Sequence, residues 1–83
     1  MRLREHDLVW REIDGDMVLL DLATSKYLTT NQAGTFLLQL LTDDQDRESL
    51  VSALSAKYGI STDSAEADTD AFISLLRERD LLV

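Results

Sequence analysis

Apolar and polar residues follow a short-period pattern over the first third of the chain, which predicts three short strands. Residues 7–13 alternate imperfectly, as a first strand does. Asp14-Gly15 follows, a dipeptide typical of two-residue hairpin turns because both turn positions take positive φ. Residues 16–22 are apolar on both faces, which is typical of a central strand. After a turn at 23–25, the stretch Lys26–Thr30 is short, rich in Thr and begins with Lys, which favours an edge strand.

The pattern changes to a helical period after Asn31, a residue that commonly caps helix N-termini. The next apolar positions recur three and four residues apart and form one stripe: Ala33, Phe36, Leu37, Leu40 and Leu41. An acidic loop over 42–46 separates this helix from a second one, which is expected to end at Gly59. A third helix begins at one of several possible caps in 61–64 and extends to about residue 80. The choice among those caps stays open.

The third predicted helix has two neighbouring faces that differ in character. At about 100° per residue, one face is expected to enter the core and collects Thr69, Phe72, Ile73 and Leu76. The adjacent face collects Asp68, Ala71, Leu75 and Arg79. An apolar Leu75 beside a small Ala71, between two charged ends, predicts one wall of a groove. The alternative, that Leu75 only widens the core stripe, is equally compatible with the pattern.

The order β-β-β-α-α-α predicts an α+β domain, with three helices on one side of a small three-stranded antiparallel sheet. The chain of 83 residues has the size of a single small domain, residues 1–83, and its 45% apolar content is ample for a packed core. The last three residues are expected to fold back onto that core.

Charge and composition argue against several classes of function. The chain has 8 basic and 16 acidic side chains, a net charge of −8, and its basic residues are scattered, so nucleic acid is a poor candidate partner. The absence of Cys excludes disulfides, thiolate zinc sites and thiol nucleophiles. No apolar run approaches the roughly 20 residues that span a bilayer, and no secretory segment is visible. A cytoplasmic protein without a membrane partner is expected.

The inventory of reactive side chains is poor. His6 is the only histidine, and one imidazole without Cys or a second His does not build a typical zinc site. The serines lack the G-x-S-x-G context of a hydrolase nucleophile, and the acids in 43–46 lack the spacing of a calcium loop. We therefore predict no catalytic residue, no metal site and no cofactor. A sheet edge beside helices, without such chemistry, indicates binding rather than catalysis.

The stretch from Tyr27 to Gly34, YLTTNQAG, followed by the apolar stripe of the first helix, resembles the PqqD-like family of recognition elements for ribosomally made, modified peptides. Asn31 and Gly34 match the strand–Asn–x–x–Gly–helix junction of that family, and Asp68 matches an acidic residue that opens its last helix. The apolar pair and the terminal Leu pair that follow in the family are present as well.

Two positions depart from the family pattern. Thr30 stands where the family usually has Leu, and Asp80 stands where it tends to have Gly before the closing Leu pair. The first departure leaves open which side chain fills the junction between the sheet and the first helix.

The resemblance implies a winged helix-turn-helix-like fold that binds the leader segment of a precursor peptide as an added strand and presents it to a processing enzyme. The implied backbone ladder is Lys26, Tyr27, Leu28, Thr29 and Thr30. The implied groove is formed by Leu28, Asp68, Ala71, Leu75 and Arg79. Leu20 is expected to floor this groove, and Lys26 and Arg79 to pair with leader carboxylates.

Stand-alone members of the family serve different pathways. The compact chain most resembles the leader-binding subunit of split lasso-peptide B proteins, which hands the leader to a separate cysteine-protease subunit. An alternative is a PqqD-type chaperone that presents a precursor to a radical enzyme in pyrroloquinoline quinone biosynthesis. Two other classes stay open: a winged-helix DNA-binding regulator, disfavoured by the lack of a basic helix face, and a structural subunit that dimerises through its free sheet edge.

Overall fold

The computed structural model, which describes residues 1–83, has three strands followed by three helices, in the predicted order. The strands are β1 (Leu8–Ile13), β2 (Asp16–Asp21) and β3 (Lys26–Thr30), and the helices are α1 (Gln32–Leu40), α2 (Arg47–Tyr58) and α3 (Thr62–Glu78). The sheet is antiparallel in the order β1-β2-β3, so β2 is central and β3 is an edge strand, as predicted. The predicted α+β class is confirmed. None of the helices combines the length and the apolar composition needed to cross a bilayer.

The turn between β1 and β2 sets the hydrogen-bonding phase of the whole sheet. Both residues of the Asp14-Gly15 turn have positive φ, 53° and 85°, as the dipeptide predicts. The flanking pair, Ile13 and Asp16, then exchanges backbone hydrogen bonds. From this pair onward, hydrogen-bonded pairs alternate with non-hydrogen-bonded pairs along β1 and β2. The even-numbered residues of β2 therefore bond to β1. Leu22 continues that alternation, because its N–H donates to the Asp7 carbonyl at 2.8 Å.

Each helix begins at a polar side chain that caps its free N–H groups. Asn31 Oδ1 accepts from the Gly34 N–H at 3.0 Å, and Asp46 and Ser61 cap α2 and α3 in the same way. Ser61 is thus the cap among the candidates in 61–64. The second helix ends at Gly59, whose φ of 62° is left-handed, as predicted.

The core lies between one face of the sheet and the helices. Thr69, Ile73 and Leu76 of α3 are buried in it as predicted, and Phe72 is half-buried at its border. The apolar core residues are Leu3, Met17, Leu19, Leu28, Leu37, Leu38, Leu41, Leu50, Val51, Leu54, Ala65, Ile73, Leu76 and Leu81.

The two ends of the chain pair with each other against this core. Leu3 and Leu82 form an isolated antiparallel bridge, and Val83 donates its N–H to the Arg2 carbonyl at 2.8 Å. Leu81 is buried, which confirms that the last residues fold back. Burial of Leu3 was not expected, because a stretch of a few residues is too short to show a period.

Candidate functional site

The open edge of β3 presents free backbone groups at alternate residues. The odd-numbered residues of β2 bond to their partners Lys26, Leu28 and Thr30, since the even-numbered ones bond to β1. The N–H and C=O groups of Tyr27 and Thr29 consequently point away from the sheet. Only these two residues of β3 offer hydrogen bonds to an added strand.

One of these edge groups contacts Arg79, a predicted site residue that follows α3. Arg79 Nη1 donates to the Tyr27 carbonyl at 3.3 Å, a long and exposed hydrogen bond. The end of α3 thus lies beside the start of β3, as the predicted site requires. Because a carbonyl oxygen has two lone pairs, an incoming strand either shares the Tyr27 carbonyl with the guanidinium or displaces it.

The predicted groove residues line two concavities at opposite ends of β3. The first, of about 350 Å³, lies at the Lys26 end, and its walls include Lys26, Leu28 and Arg79. The second, of about 330 Å³, lies between the start of α1 and α3 and is lined by Asp68, Ala71 and Leu75, among others. The helix α3 therefore runs antiparallel to β3 along the site. Leu28 and Leu75 do not share one concavity.

Leu75 has both of the roles weighed from the sequence. It is half-buried and packs against the core cluster, and it also lines the second concavity. Ala71 and Asp68 beside it are exposed. This face of α3 is accordingly an accessible wall with an apolar centre.

The expectation that Leu20 floors the groove is wrong. Side chains alternate along β2, and Met17 and Leu19 face the helices, so Leu20 lies on the opposite face with 37% of its surface exposed. Leu19 lines the first concavity instead. The sequence could not fix this phase, because β2 is apolar on both faces and a shift of one residue exchanges them.

A partly buried ion pair lines the first concavity. Arg4 Nη2 lies 2.7 Å from Asp21 Oδ1, which also accepts a hydrogen bond from the Ala23 N–H at 3.0 Å. Burial raises the pKa of the Asp21 carboxyl, but these hydrogen bonds outweigh it and hold the pKa below its ordinary value. Arg4 was not predicted as part of the site, since nothing in its neighbourhood marks so distant a partner.

The unpaired charges of the site differ between its two ends. Lys26 and Arg79, at the first concavity, form no ion pair within 4.0 Å. Asp68, at the second, has no cationic partner either. Glu78 and Asp80 line the first concavity as well and are likewise unpaired, so that end carries both signs of charge, whereas Asp68 is the only charged residue at the second.

The junction between β3 and α1 has no room for a side chain at Gly34. A Cβ there would lie 2.9 Å from the Thr30 Cβ and 3.1 Å from the Phe72 Cε1. The buried Thr30 hydroxyl lies 3.0 Å from the Thr35 hydroxyl, so the two satisfy each other. Thr30 and Phe72 thus fill the junction that the sequence left unassigned.

Two of the three acidic residues in the loop before α2 have structural partners. Asp44 accepts a hydrogen bond from the Met1 ammonium at 2.8 Å, and Asp46 caps α2. No group of three or more His, Cys, Asp or Glu side chains is arranged to hold a metal ion.

The chain matches known proteins over almost its whole length. The family model described as Coenzyme PQQ synthesis protein D (PqqD) matches residues 16–82. The structure of TbiB1 in complex with the TbiA(beta) leader peptide is similar, with 29% identity and a TM-score of 0.87, over 99% of this chain and 94% of that one. A lasso peptide synthetase B1 complexed with the leader peptide has 28% identity and a TM-score of 0.81, over 96% and 93% of the two chains. A comparison with curated proteins found no match. Because the family model covers most of the sequence, this chain belongs to the PqqD family.

Proposed function

We propose that the chain binds the leader segment of a ribosomally synthesised precursor peptide, by strand addition to β3, and presents it to a processing enzyme. The observation that carries this proposal is the open edge at Tyr27 and Thr29, in a fold shared with two structures of leader-peptide complexes. An added strand satisfies these backbone groups whatever its sequence.

Specificity must then come from side chains. Alternate residues of an added strand face the helices, where Leu28 lines the first concavity and Leu75 the second. Apolar leader residues that reach these two concavities bury surface in them, and each Å² of buried apolar surface stabilises the complex by roughly 25 cal/mol.

The free charges at the two ends favour one placement of a charged leader. An acidic leader residue fits near Lys26 and Arg79, and a basic one fits near Asp68. Exposed pairs contribute only about 0–1 kcal/mol each, so they select register and orientation more than they add affinity.

The test compares two glutamates on adjacent residues of α3, Leu75→Glu and Ser74→Glu. Ser74 is exposed and lines neither concavity. The probes are the TbiA(beta) leader peptide and the N-terminal segment of any short precursor peptide whose gene neighbours that of this chain, and the measurement is titration calorimetry. Leu75→Glu should lower the affinity at least about tenfold, because an unpaired carboxylate in an apolar contact costs more than about 1.4 kcal/mol.

Ser74→Glu should bind as the parent does, and circular dichroism should show both variants folded. The proposal is contradicted if neither peptide binds the parent chain, or if a folded Leu75→Glu variant binds with unchanged affinity.

We further propose that the chain has no catalytic step of its own, and that a separate cysteine-protease subunit removes the leader. The likeness to a lasso peptide synthetase B1 supports this partner. Mass spectrometry should find the precursor intact with the chain alone and cleaved only when the second subunit is added. Cleavage by the purified chain alone would overturn the assignment.

The family description supports a second candidate, presentation of a precursor to a radical enzyme of pyrroloquinoline quinone synthesis. The two leader-peptide complexes favour the lasso-peptide role. Co-purification distinguishes the two roles, because it identifies the enzyme that binds the chain together with its leader.

The same free edge could pair with a second copy of the chain, giving a dimer with a continuous sheet. Because leader and second copy would use the same groups of Tyr27 and Thr29, they should compete. Sedimentation velocity should then show any dimer dissociating as the leader is added.

A further inference from the structure

The outer face of the sheet carries an exposed apolar row that ends at the open edge. Val9 pairs with Leu20, and Leu20 pairs with Tyr27, so the three side chains stand side by side across all strands. They are 52%, 37% and 69% exposed, on the face that no helix covers. Single exposed apolar residues are ordinary, but a contiguous row that reaches an open sheet edge is accessible to the side chains of a strand bound at that edge.

The hydrogen-bonding phase of the sheet decides what lies next to this row. An added strand bonds to Tyr27 and Thr29, so one of its residues is paired directly with Tyr27. Directly paired residues in a sheet have side chains on the same face, about 4.5–5.5 Å apart at Cβ. The residue opposite Tyr27 therefore extends the outer row, while its neighbour opposite Leu28 faces the helices.

We infer that the leader is read on both faces of the sheet, with an apolar or aromatic leader residue opposite Tyr27 completing the row Val9–Leu20–Tyr27. This inference rests on the proposed function. It specifies a leader with apolar residues at consecutive positions, one on each face, rather than one with apolar residues at every second position only.

The next residue of β3 on the outer face, Thr29, has different neighbours. Its row consists of Arg11, Val18 and Thr29, of which only Val18 is apolar and it is half-buried. The leader residue opposite Thr29 therefore meets a hydroxyl at the edge, and a polar or β-branched residue suits it. Tyr27 is the specificity-determining residue on the outer face.

The test compares Tyr27→Thr with Val9→Thr, which places the same side chain at the far end of the same row. Both replacements keep a good strand former. With the two leader probes, Tyr27→Thr should weaken binding about two- to fivefold, the range for a lost cross-strand aromatic pair. Val9→Thr should leave the affinity unchanged, because Val9 lies two strands from the added one.

A serine scan of the leader identifies the contact. Replacing the leader residue opposite Tyr27 should weaken binding to the parent chain but not to Tyr27→Thr, whereas Tyr27→Phe should bind as the parent does. Unchanged affinity of Tyr27→Thr beside a loss in Leu75→Glu contradicts two-sided reading and leaves the proposed function intact. Equal losses in Val9→Thr and Tyr27→Thr also contradict it. Absence of binding to the parent chain contradicts the proposed function itself.

Discussion

At the scale of single residues, the junction between β3 and α1 shows how the family pattern is maintained despite a departure from it. Gly34 is required because Thr30 and Phe72 occupy the space that a Cβ would take. Thr30 introduces a buried hydroxyl where the family usually has Leu, and Thr35 supplies its partner at 3.0 Å. The Thr35 hydroxyl therefore compensates for the polar side chain at position 30.

Removing one member of that pair should cost more than removing both. In Thr35→Val the buried Thr30 hydroxyl keeps only a 3.5 Å contact to the Met17 carbonyl, so the free energy of unfolding should fall by about 1–2 kcal/mol. Urea denaturation should place the double variant Thr30→Val/Thr35→Val closer to the parent than the single variant. A single variant as stable as the parent would contradict the pairing.

Asp80 shows why a glycine is common before the closing Leu pair. Its φ is 56°, in the left-handed region that disfavours a side chain. Asp80→Gly should raise the free energy of unfolding by up to about 1 kcal/mol, because it removes that strain. Asp80→Ala removes the same charge but keeps a Cβ, so thermal denaturation should show it no more stable than the parent. An equal rise in stability in both variants would show that the effect comes from removing the Asp80 charge and not from relieving backbone strain.

At the scale of elements, the helices were easier to predict in phase than the strands. Charged residues interrupt the apolar stripe of α3, so its core face could be assigned correctly around Ile73 and Leu76. β2 is apolar on both faces, and Leu20 was accordingly placed on the wrong one. β3 was recognisable as an edge from its Lys and Thr residues. The start of α3 stayed open, because several residues were equally good caps.

Substitutions of two adjacent residues on different faces of α3 should affect stability and leader binding separately. Leu76 is fully buried, so Leu76→Ala should lower the free energy of unfolding by about 2–5 kcal/mol. Leu75→Ala should cost less stability, since Leu75 is half-buried, but should weaken leader binding. Thermal denaturation and calorimetry measure the two effects. A larger loss of stability in Leu75→Ala would contradict the assignment of the faces.

At the scale of the whole molecule, contacts between distant segments complete the fold, and these could not be predicted. The pairing of Leu3 with Leu82 and the ion pair of Arg4 with Asp21 join stretches that have no periodic relation in the sequence. Arg47 similarly ties α2 to α3 through Asp70, with its Nε 2.6 Å from Asp70 Oδ1. Such contacts follow from the packed fold rather than from local pattern.

These contacts should make the fold sensitive to acid. Burial raises the pKa of the Asp21 carboxyl, but the hydrogen bonds from the Ala23 N–H and Arg4 outweigh it and lower the pKa. The pKa values of three other carboxyls are also lowered: Asp44 by the N-terminal ammonium, Asp46 by Ser49 and Asp70 by Arg47. A carboxyl whose pKa is lower in the folded chain binds a proton more readily in the unfolded chain. The ionised carboxylate therefore stabilises the fold fully at pH values above the ordinary pKa of Asp, about 3.9, and this stabilisation is lost as the pH falls through the pKa of the folded chain.

The free energy of unfolding should therefore decline below about pH 4. Asp21→Asn should flatten this decline, measured by urea denaturation across a pH series, whereas Asp43→Asn should not, because Asp43 is exposed and forms no ion pair. The same slope in Asp21→Asn and the parent would contradict the assignment.

The central claim, strand addition to β3, is tested most directly by hydrogen exchange of individual amides with and without the leader peptide. The amides of Tyr27 and Thr29 should become protected when the leader binds, because they alone point to the open edge of β3, while Leu28 is already bonded to β2. Trp10 and Glu12, which face the open edge of β1, should not change. Protection at Trp10 and Glu12, or unchanged exchange at Tyr27 and Thr29 in a saturated complex, would contradict the account.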